Sequence, residues 1–191
     1  MKFFDAVKFI GRYARNPSQI GAVCPSSSFL AGKMAAGARK GAKAGSVVAE
    51  LGAGTGAVTK SLVKLGDDIE NFKLYSIEFD AALAEILRGN YPHVNVVNDS
   101  AENLGKILGE DAKNLSAVVS SLPLLSLPDC VVGSILSEVE RILPSGAVFV
   151  QFTYNLFRKP QDLGFSKLRH MGRSFVFLNV PPARVDVFIK P

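Results

Sequence analysis

Tryptophan is absent from this 191-residue chain, and methionine (three), cysteine (two) and histidine (two) are scarce. Cys24 and Cys130 stand far apart without CxxC spacing. With only His93 and His170 beside them, no zinc cluster can be assembled from the usual ligands. No metal is expected, and both cysteines are expected to be small buried thiols in a reducing compartment. A run of about 18 consecutive apolar residues, the length needed to span a bilayer, is also missing. Lys2, Asp5, Lys8, Arg12 and Arg15 interrupt every apolar stretch at the N-terminus, which argues against a signal peptide and makes a cytoplasmic location the expectation. Glycine (17) and proline (10) are at ordinary levels, without a linker-like or collagen-like repeat.

What is present is apolar material for a core. The chain is 48% hydrophobic and 20% charged, which rules out disorder, and its length suits one domain. The formal charge of +5 is unevenly spread. Residues 1–45 hold eight basic and one acidic residue, a net +7; residues 46–155 hold seven and fourteen, a net −7; residues 156–191 hold seven and two, a net +5. An acidic middle between basic ends suggests contact with an anionic surface, either nucleic acid or bilayer. Within the first segment, Phe3, Val7, Ile10 and Ala14 fall on one helical face, and Asp5, Lys8, Arg12 and Arg15 on the other. Such a basic amphipathic helix can lie in a membrane interface or pack on the fold. The later cluster Arg158, Lys159, Lys167, Arg169 and Arg173 could meet lipid phosphates or serve only to solvate a helix and loop.

From residue 46 onward, strand and helix patterns alternate. Ser46–Leu51 is an apolar strand, Thr55–Leu65 has helical spacing, and Phe72–Phe79 alternates. A helix runs from Asp80 to Asn90, a strand lies at Val94–Val97, and a helix at Ala101–Leu108 leads to a strand at Leu115–Leu122. Pro128–Leu143 is helical and Ala147–Tyr154 is a strand. This rhythm calls for a parallel sheet covered by helices on both faces. Ser174–Val180 and Arg184–Ile189 are joined by only Pro181, Pro182 and Ala183, too short for a crossover, so they form an antiparallel hairpin. Phe149, Phe152, Phe175, Phe177 and Phe188 are expected in the core.

The loop Glu50-Leu51-Gly52-Ala53-Gly54-Thr55-Gly56 follows a strand and opens a helix, the context in which glycines let backbone approach a ligand. Gly52, Gly54 and Ala57 also fit a dinucleotide fingerprint, but a carboxylate at Glu50 would repel a pyrophosphate. It would favour a cationic ligand such as the ammonium and sulfonium of S-adenosylmethionine. The alternative is a tight turn with no ligand. Glu78, at the end of the second strand, is placed to accept from ribose hydroxyls, or is a solvated acid preceding a helix capped by Asp80. Asp99 can accept from an adenine amino group while the Ala101 backbone meets a ring nitrogen; Asp99 or Ser100 serves equally well as a helix cap.

Three sites at the ends of three successive strands resemble the class I S-adenosylmethionine-dependent methyltransferases, over roughly residues 45–191. The resemblance implies an α/β three-layer sandwich: a seven-stranded, mostly parallel Rossmann-like sheet with an antiparallel C-terminal hairpin, preceded by an N-terminal amphipathic helix. It implies a basic segment at 1–45, serving as a membrane element or lid, and a catalytic domain at 46–191. The cofactor would be S-adenosyl-L-methionine, held by Glu50, Gly52, Gly54, Gly56, Glu78, Asp99, Ala101 and Ser120.

The acceptor depends on Ser120-Ser121-Leu122-Pro123-Leu124-Leu125. Adenine-N6 methyltransferases carry an amide and an aromatic ring here to hold a flipped base. Serine replaces the amide and Leu124 the ring, so no nucleic-acid partner is expected. The segments 15–23 with Pro25-Ser26-Ser27, the glycine loop, 120–124 and Gln151-Phe152-Thr153-Tyr154 look closer to the bacterial phospholipid N-methyltransferases, with Cys24 and Ala53 as departures. That resemblance implies methylation of the amine of phosphatidylethanolamine and its partly methylated forms by direct transfer. The enzyme would sit peripherally on the inner face of the membrane, with an anionic lipid surface as partner. Ser120, Ser121 and Tyr154 are the candidate positioning residues, with Tyr13 a further cation–π candidate. No general base is evident. The alternatives are an rRNA or other nucleic-acid adenine methyltransferase, or a non-catalytic S-adenosylmethionine-binding module.

Overall fold

The computed structural model describes residues 27–191. The expected N-terminal amphipathic helix, Tyr13, Cys24 and most of the 15–27 segment lie outside the described residues. Seven strands form one sheet in the order β3-β2-β1-β4-β5-β7-β6. They are β1 Val47–Leu51, β2 Lys73–Glu78, β3 Asn95–Asn98, β4 Leu115–Ser120, β5 Val148–Thr153, β6 Arg169–Val176 and β7 Ala183–Ile189. β1 to β5 run parallel, and β7 pairs antiparallel with both β5 and β6. This is the seven-stranded α/β architecture that the alternating pattern predicts.

The helices are α1 Ser28–Arg39, α2 Ala57–Gly66, α3 Ala81–Asn90, α4 Leu104–Leu108 and α5 Asp129–Ile142. Strand alternation sends each strand's side chains to two cores. Val47, Ala49, Leu51, Val118 and Phe149 meet α4 and α5 on one face. Val48, Ala117, Val119, Val148 and Val150 meet α1 and α2 on the other. Helix α1 lies inside the stretch read as 1–45 and buries Leu30, Ala31, Met34, Ala35 and Ala38 in the second core. Its small residues let backbone approach backbone.

Three features differ from the sequence reading. β6 begins at Arg169, not at Ser174, so Arg169 and Arg173 lie on the edge strand and not on a helix or loop. A helical or strand period is hard to see there, because the strand is half exposed and its register shifts between His170 and Gly172. Cys130 is exposed, because it falls on the outer face of the first turn of α5. Among the phenylalanines, Phe149, Phe152 and Phe188 are buried, but Phe175 is 44% and Phe177 71% exposed. Both lie where β6, the sheet's outermost strand, runs out into its turn, with no further strand beside it among the described residues.

Gly41 closes α1 against the sheet. A Cβ there would stand 2.3 Å from the Ser116 carbonyl oxygen, a backbone atom that cannot yield. Gly133 sits exposed inside α5, where an added methyl group would meet nothing within 4 Å. Gly41→Ala should destabilise the fold by about 1–3 kcal/mol, whereas Gly133→Ala should stabilise it by about 0.5–1 kcal/mol. Urea midpoints at unchanged slope measure both.

Candidate active site

The parallel strands all end at one edge of the sheet, and there the chain turns outward five times. At the first turn Gly52, Gly54 and Gly56 adopt φ of 71°, 57° and 88°. A side chain at Gly52 would strike Leu122 at 2.6 Å, so this glycine allows the segment after β4 to close on the loop. At Gly54 a Cβ would meet nothing within 4 Å; the loop faces open space there.

Two carboxylates hold the loop. Glu50 is fully buried, and its Oε2 accepts from Thr59 Oγ1 of α2 at 2.6 Å and from Ser76 Oγ of β2 at 2.7 Å. Its Oε1 is buried with no hydrogen-bond partner among the described residues. Desolvation raises its pKa to about 7, opposed by the Thr59 and Ser76 hydroxyls and reinforced by the nearby charge of Glu78. Glu78 accepts from the Gly54 N–H at 2.7 Å and from the Asp80 N–H at 2.8 Å. Burial pushes its carboxyl above the usual range against those same hydrogen bonds. Asp80 caps α3, accepting from the N–H groups of Ala82 and Leu83. At the third turn Ser100, not Asp99, caps the following helical turn. Asp99 Oδ1 accepts from the Ser100 N–H and Asn103 Nδ2, and Ala101 is buried beside it.

The structure therefore gathers Glu50, the glycines, Glu78, Asp99, Ala101 and Ser120 along one edge. Ser120 is fully buried, and its Oγ lies 3.4 Å from the Leu122 N–H. Ser121 Oγ is buried without a partner among the described residues.

A cleft of about 240 Å³ opens between the segment after β4 and the end of β5, its lining beginning at Pro123, two residues beyond Ser121. Pro123, Leu124, Gln151, Tyr154, Arg158 and Lys159 line it. Among these, the sequence suggested a contact with substrate or lipid for Tyr154, Arg158 and Lys159. Tyr154 packs edge-on against Phe152 at 5.2 Å. The more informative residue is Gln151, buried on β5 and in register with Ser120 of β4 and Asp186 of β7. Its Nε2 donates to the carbonyl oxygens of Leu122 at 3.0 Å and Phe152 at 2.8 Å. Two carbonyls can be served only by the NH₂ end, so the amide orientation is fixed. Oε1 is left as a buried acceptor with no donor among the described residues.

Next to it lies a buried ion pair. Asp186 Oδ2 accepts from Arg184 Nε at 2.9 Å and Nη2 at 2.7 Å, and its Oδ1 is 3.0 Å from His170 Nε2. Arg184 Nη1 donates to the Leu156 carbonyl at 2.6 Å, fixing the loop that carries Arg158 and Lys159. Charged residues in a strand buried along nearly its whole length, Ala183–Ile189, were the available sequence signal for this group. His170, given no role from sequence, belongs to it. Among the described residues no group of three or more His, Cys, Asp or Glu could hold a metal.

Comparisons with known proteins agree with this fold. No family model matches the chain. It is 28% identical over 155 residues, 78% of each protein, to an ornithine lipid N-methyltransferase of Singulisphaera acidiphila. Among solved structures it is similar to a TehB-like SAM-dependent methyltransferase of Corynebacterium glutamicum, at TM-score 0.60 and 14% identity with 100% of both chains covered. TrmN of Thermus thermophilus gives TM-score 0.65 and 16% identity, covering 94% of this chain and 53% of that one. A Clostridium thermocellum protein described as an rRNA-methylase gives 0.60 and 17%, covering 83% and 94%. The fold is that of the class I methyltransferases.

Because the folded-state pKa of Glu50 lies above its unfolded value, its protonation stabilises the fold below about pH 4.5, and that contribution is lost as pH rises through 7. Glu50→Gln keeps an acceptor for Thr59 and Ser76 and has no charge to bury. The variant should gain about 2–3 kcal/mol over the parent between pH 5 and pH 8, read as the difference in urea-unfolding free energy at the two pH values.

Proposed function

We propose that the chain is an S-adenosylmethionine-dependent N-methyltransferase acting on the amine of an aminolipid head group at a membrane surface. Phosphatidylethanolamine with its partly methylated forms, or an ornithine lipid, is the substrate class. The observation that carries this reading is the buried Gln151 Oε1, a pinned acceptor with no donor among the described residues, on a residue that lines the cleft and pairs in register with Ser120. An amine N–H is the complementary group. The identity to an ornithine lipid N-methyltransferase supports the lipid part of the reading.

The first three strand ends suit the cofactor: open space above Gly54, a carboxylate at Glu78 that would accept from a ribose, and Asp99 and Ala101, which would flank a base. Glu50 Oε1, buried and without a partner among the described residues, would offset positive charge near the loop. When bound, S-adenosylmethionine supplies a methyl group already activated on a sulfonium. The protein is then asked mainly to position the acceptor and exclude water. Gln151 Oε1 would accept one amine N–H and so direct the nitrogen lone pair, Ser121 Oγ would accept or donate alongside, and Tyr154 would close the side of the cleft. Arg158 and Lys159 line the cleft and would pair with the phosphate of a phospholipid or the carboxylate of an ornithine lipid.

An adenine acceptor is less well served. An amide is supplied after all, from β5 and not from the segment after β4, but Leu124 still stands where a stacking ring is needed and is itself buried.

The test is methyl transfer from labelled S-adenosylmethionine to vesicles with and without phosphatidylethanolamine or an ornithine lipid. Label should appear in mono-, di- or trimethylated lipid. Gln151→Leu should lower kcat/KM by about 10–100-fold, the worth of one hydrogen bond to the reacting nitrogen, with cofactor binding unchanged. Label in structured RNA and none in lipid would overturn the reading.

A further inference from the structure

Among the described residues, most of the large apolar side chains that the fold leaves in solvent sit at the end of the sheet where the cleft opens. β5 and β6 finish at this end and β7 starts there, because Thr153 pairs with Arg184 and Val176 with Ala183. The turn between β6 and β7 presents Phe177, Leu178 and Val180, which are 71%, 69% and 77% exposed. Phe175 stacks on Phe177 with ring centres 6.0 Å apart, so the two rings form one plate. Phe157, 95% exposed, follows the Leu156 carbonyl that Arg184 holds, and Leu125, 55% exposed, lines the cleft mouth.

These side chains are displayed on supports, not on a floppy loop. Asn179 is buried at the centre of the turn, its Nδ2 donating to the Pro181 carbonyl at 2.7 Å and its Oδ1 accepting from the Ser27 N–H at 3.0 Å. The start of α1 is thereby fixed to the turn, which adds Phe29 of the first turn of α1, 55% exposed. The cations Arg158 and Lys159 line the cleft, and Arg173 lies on β6 two residues before Phe175. The nearby acid Asp162 accepts from the Lys159 N–H.

We propose that this end of the sheet is a membrane-docking face, in which the β6–β7 turn with Phe157 and Leu125 enters the interface of an anionic bilayer. The choice of occupant rests on the aminolipid reading above. Apolar side chains ring the mouth of a cleft whose floor takes a polar head group, and basic residues flank them, the arrangement that an interfacial surface requires. A lipid can enter the cleft by its head group while its chains remain in the bilayer. A protein partner, a second copy of this chain or a folded-back segment on the same face would instead cover the mouth.

The chain lacks tryptophan, so one substitution gives a unique fluorophore. Phe177→Trp places it at the turn, and Ile86→Trp places it on α3, an exposed site that packs beside β2 and β3 on the far side of the sheet. With vesicles of phosphatidylglycerol and phosphatidylcholine bearing brominated acyl chains, the turn indole should shift to the blue and be quenched, and the α3 indole should do neither. The double variant Phe177→Ser, Leu178→Ser should lose about tenfold or more in vesicle partitioning. Its melting temperature should stay unchanged, since both side chains are already in solvent. An unquenched turn indole on sedimenting protein, or undiminished partitioning of the double variant, would overturn the proposal by placing contact elsewhere. So would a chain that ignores vesicles and self-associates through the same side chains. Methyl transfer to detergent-dispersed lipid without vesicle binding would remove the docking face and leave the aminolipid reading standing. Docking through the turn with no labelled lipid would do the reverse.

Discussion

A fully enclosed carboxylate organises the glycine-loop end of this fold. Glu50 is fully enclosed, and its two hydrogen bonds join three elements: its own strand, Thr59 on α2 and Ser76 on β2. Burying that group costs stability whenever it is ionised, and a hydrocarbon of the same size would fill the space without the penalty. What the carboxylate adds is a fixed position for the start of α2 relative to two strands, with negative potential beneath a loop whose N–H groups at Gly52, Ala53, Gly54 and Gly56 are already held by protein acceptors. Glu78 acts from the other side, drawing Gly54 toward the end of β2. The loop is therefore set by two acids before any ligand arrives, which is the preorganisation expected of a binding site.

How much of this was legible in the sequence follows from how far each signal reaches along the chain. The glycine loop, the strand-end acids and the alternating strands are local patterns, and the structure has them where the pattern put them. The cleft is different in kind. Gln151, Asp186 and Ser120 become neighbours only through parallel pairing of β4 with β5 and antiparallel pairing of β5 with β7, so no window of sequence contains them together. The orientation of Gln151 depends further on the Leu122 carbonyl, 29 residues away. Phe175 and Phe177 misled for the opposite reason. Local alternation in an aromatic-rich strand looks like core, and only the sheet order reveals that β6 has no neighbour beyond it.

The polar row across β4, β5 and β7 also explains why α1 matters to a site that it does not line. Phe152 and Val150 of β5, and Val185 and Val187 of β7, lie on the face opposite Gln151 and Asp186, and α1 packs against that face with Leu30 and Met34. Every strand that carries a cleft residue inward is thus backed by apolar contact on its other side. A strand with a buried amide and a buried ion pair on one face needs this, because each polar group holds its place only while the strand cannot rotate or slip register.

The charges around the cleft bear on the chemistry proposed for it. An amine must be neutral to act as a nucleophile, and an isolated carboxylate would favour the ammonium form. Asp186 is not isolated: Arg184 and His170 occupy both of its oxygens. Gln151 accepts a hydrogen bond without contributing charge, and Arg158 and Lys159 add positive potential at the rim. An amine entering such surroundings is shifted toward its unprotonated form, by burial and by like charge together. The same cations would attract the anionic part of a zwitterionic head group. On the proposed reading the cleft would hold the molecule through its anion while disfavouring the proton on its nitrogen, so that no dedicated general base would be needed to make that nitrogen reactive.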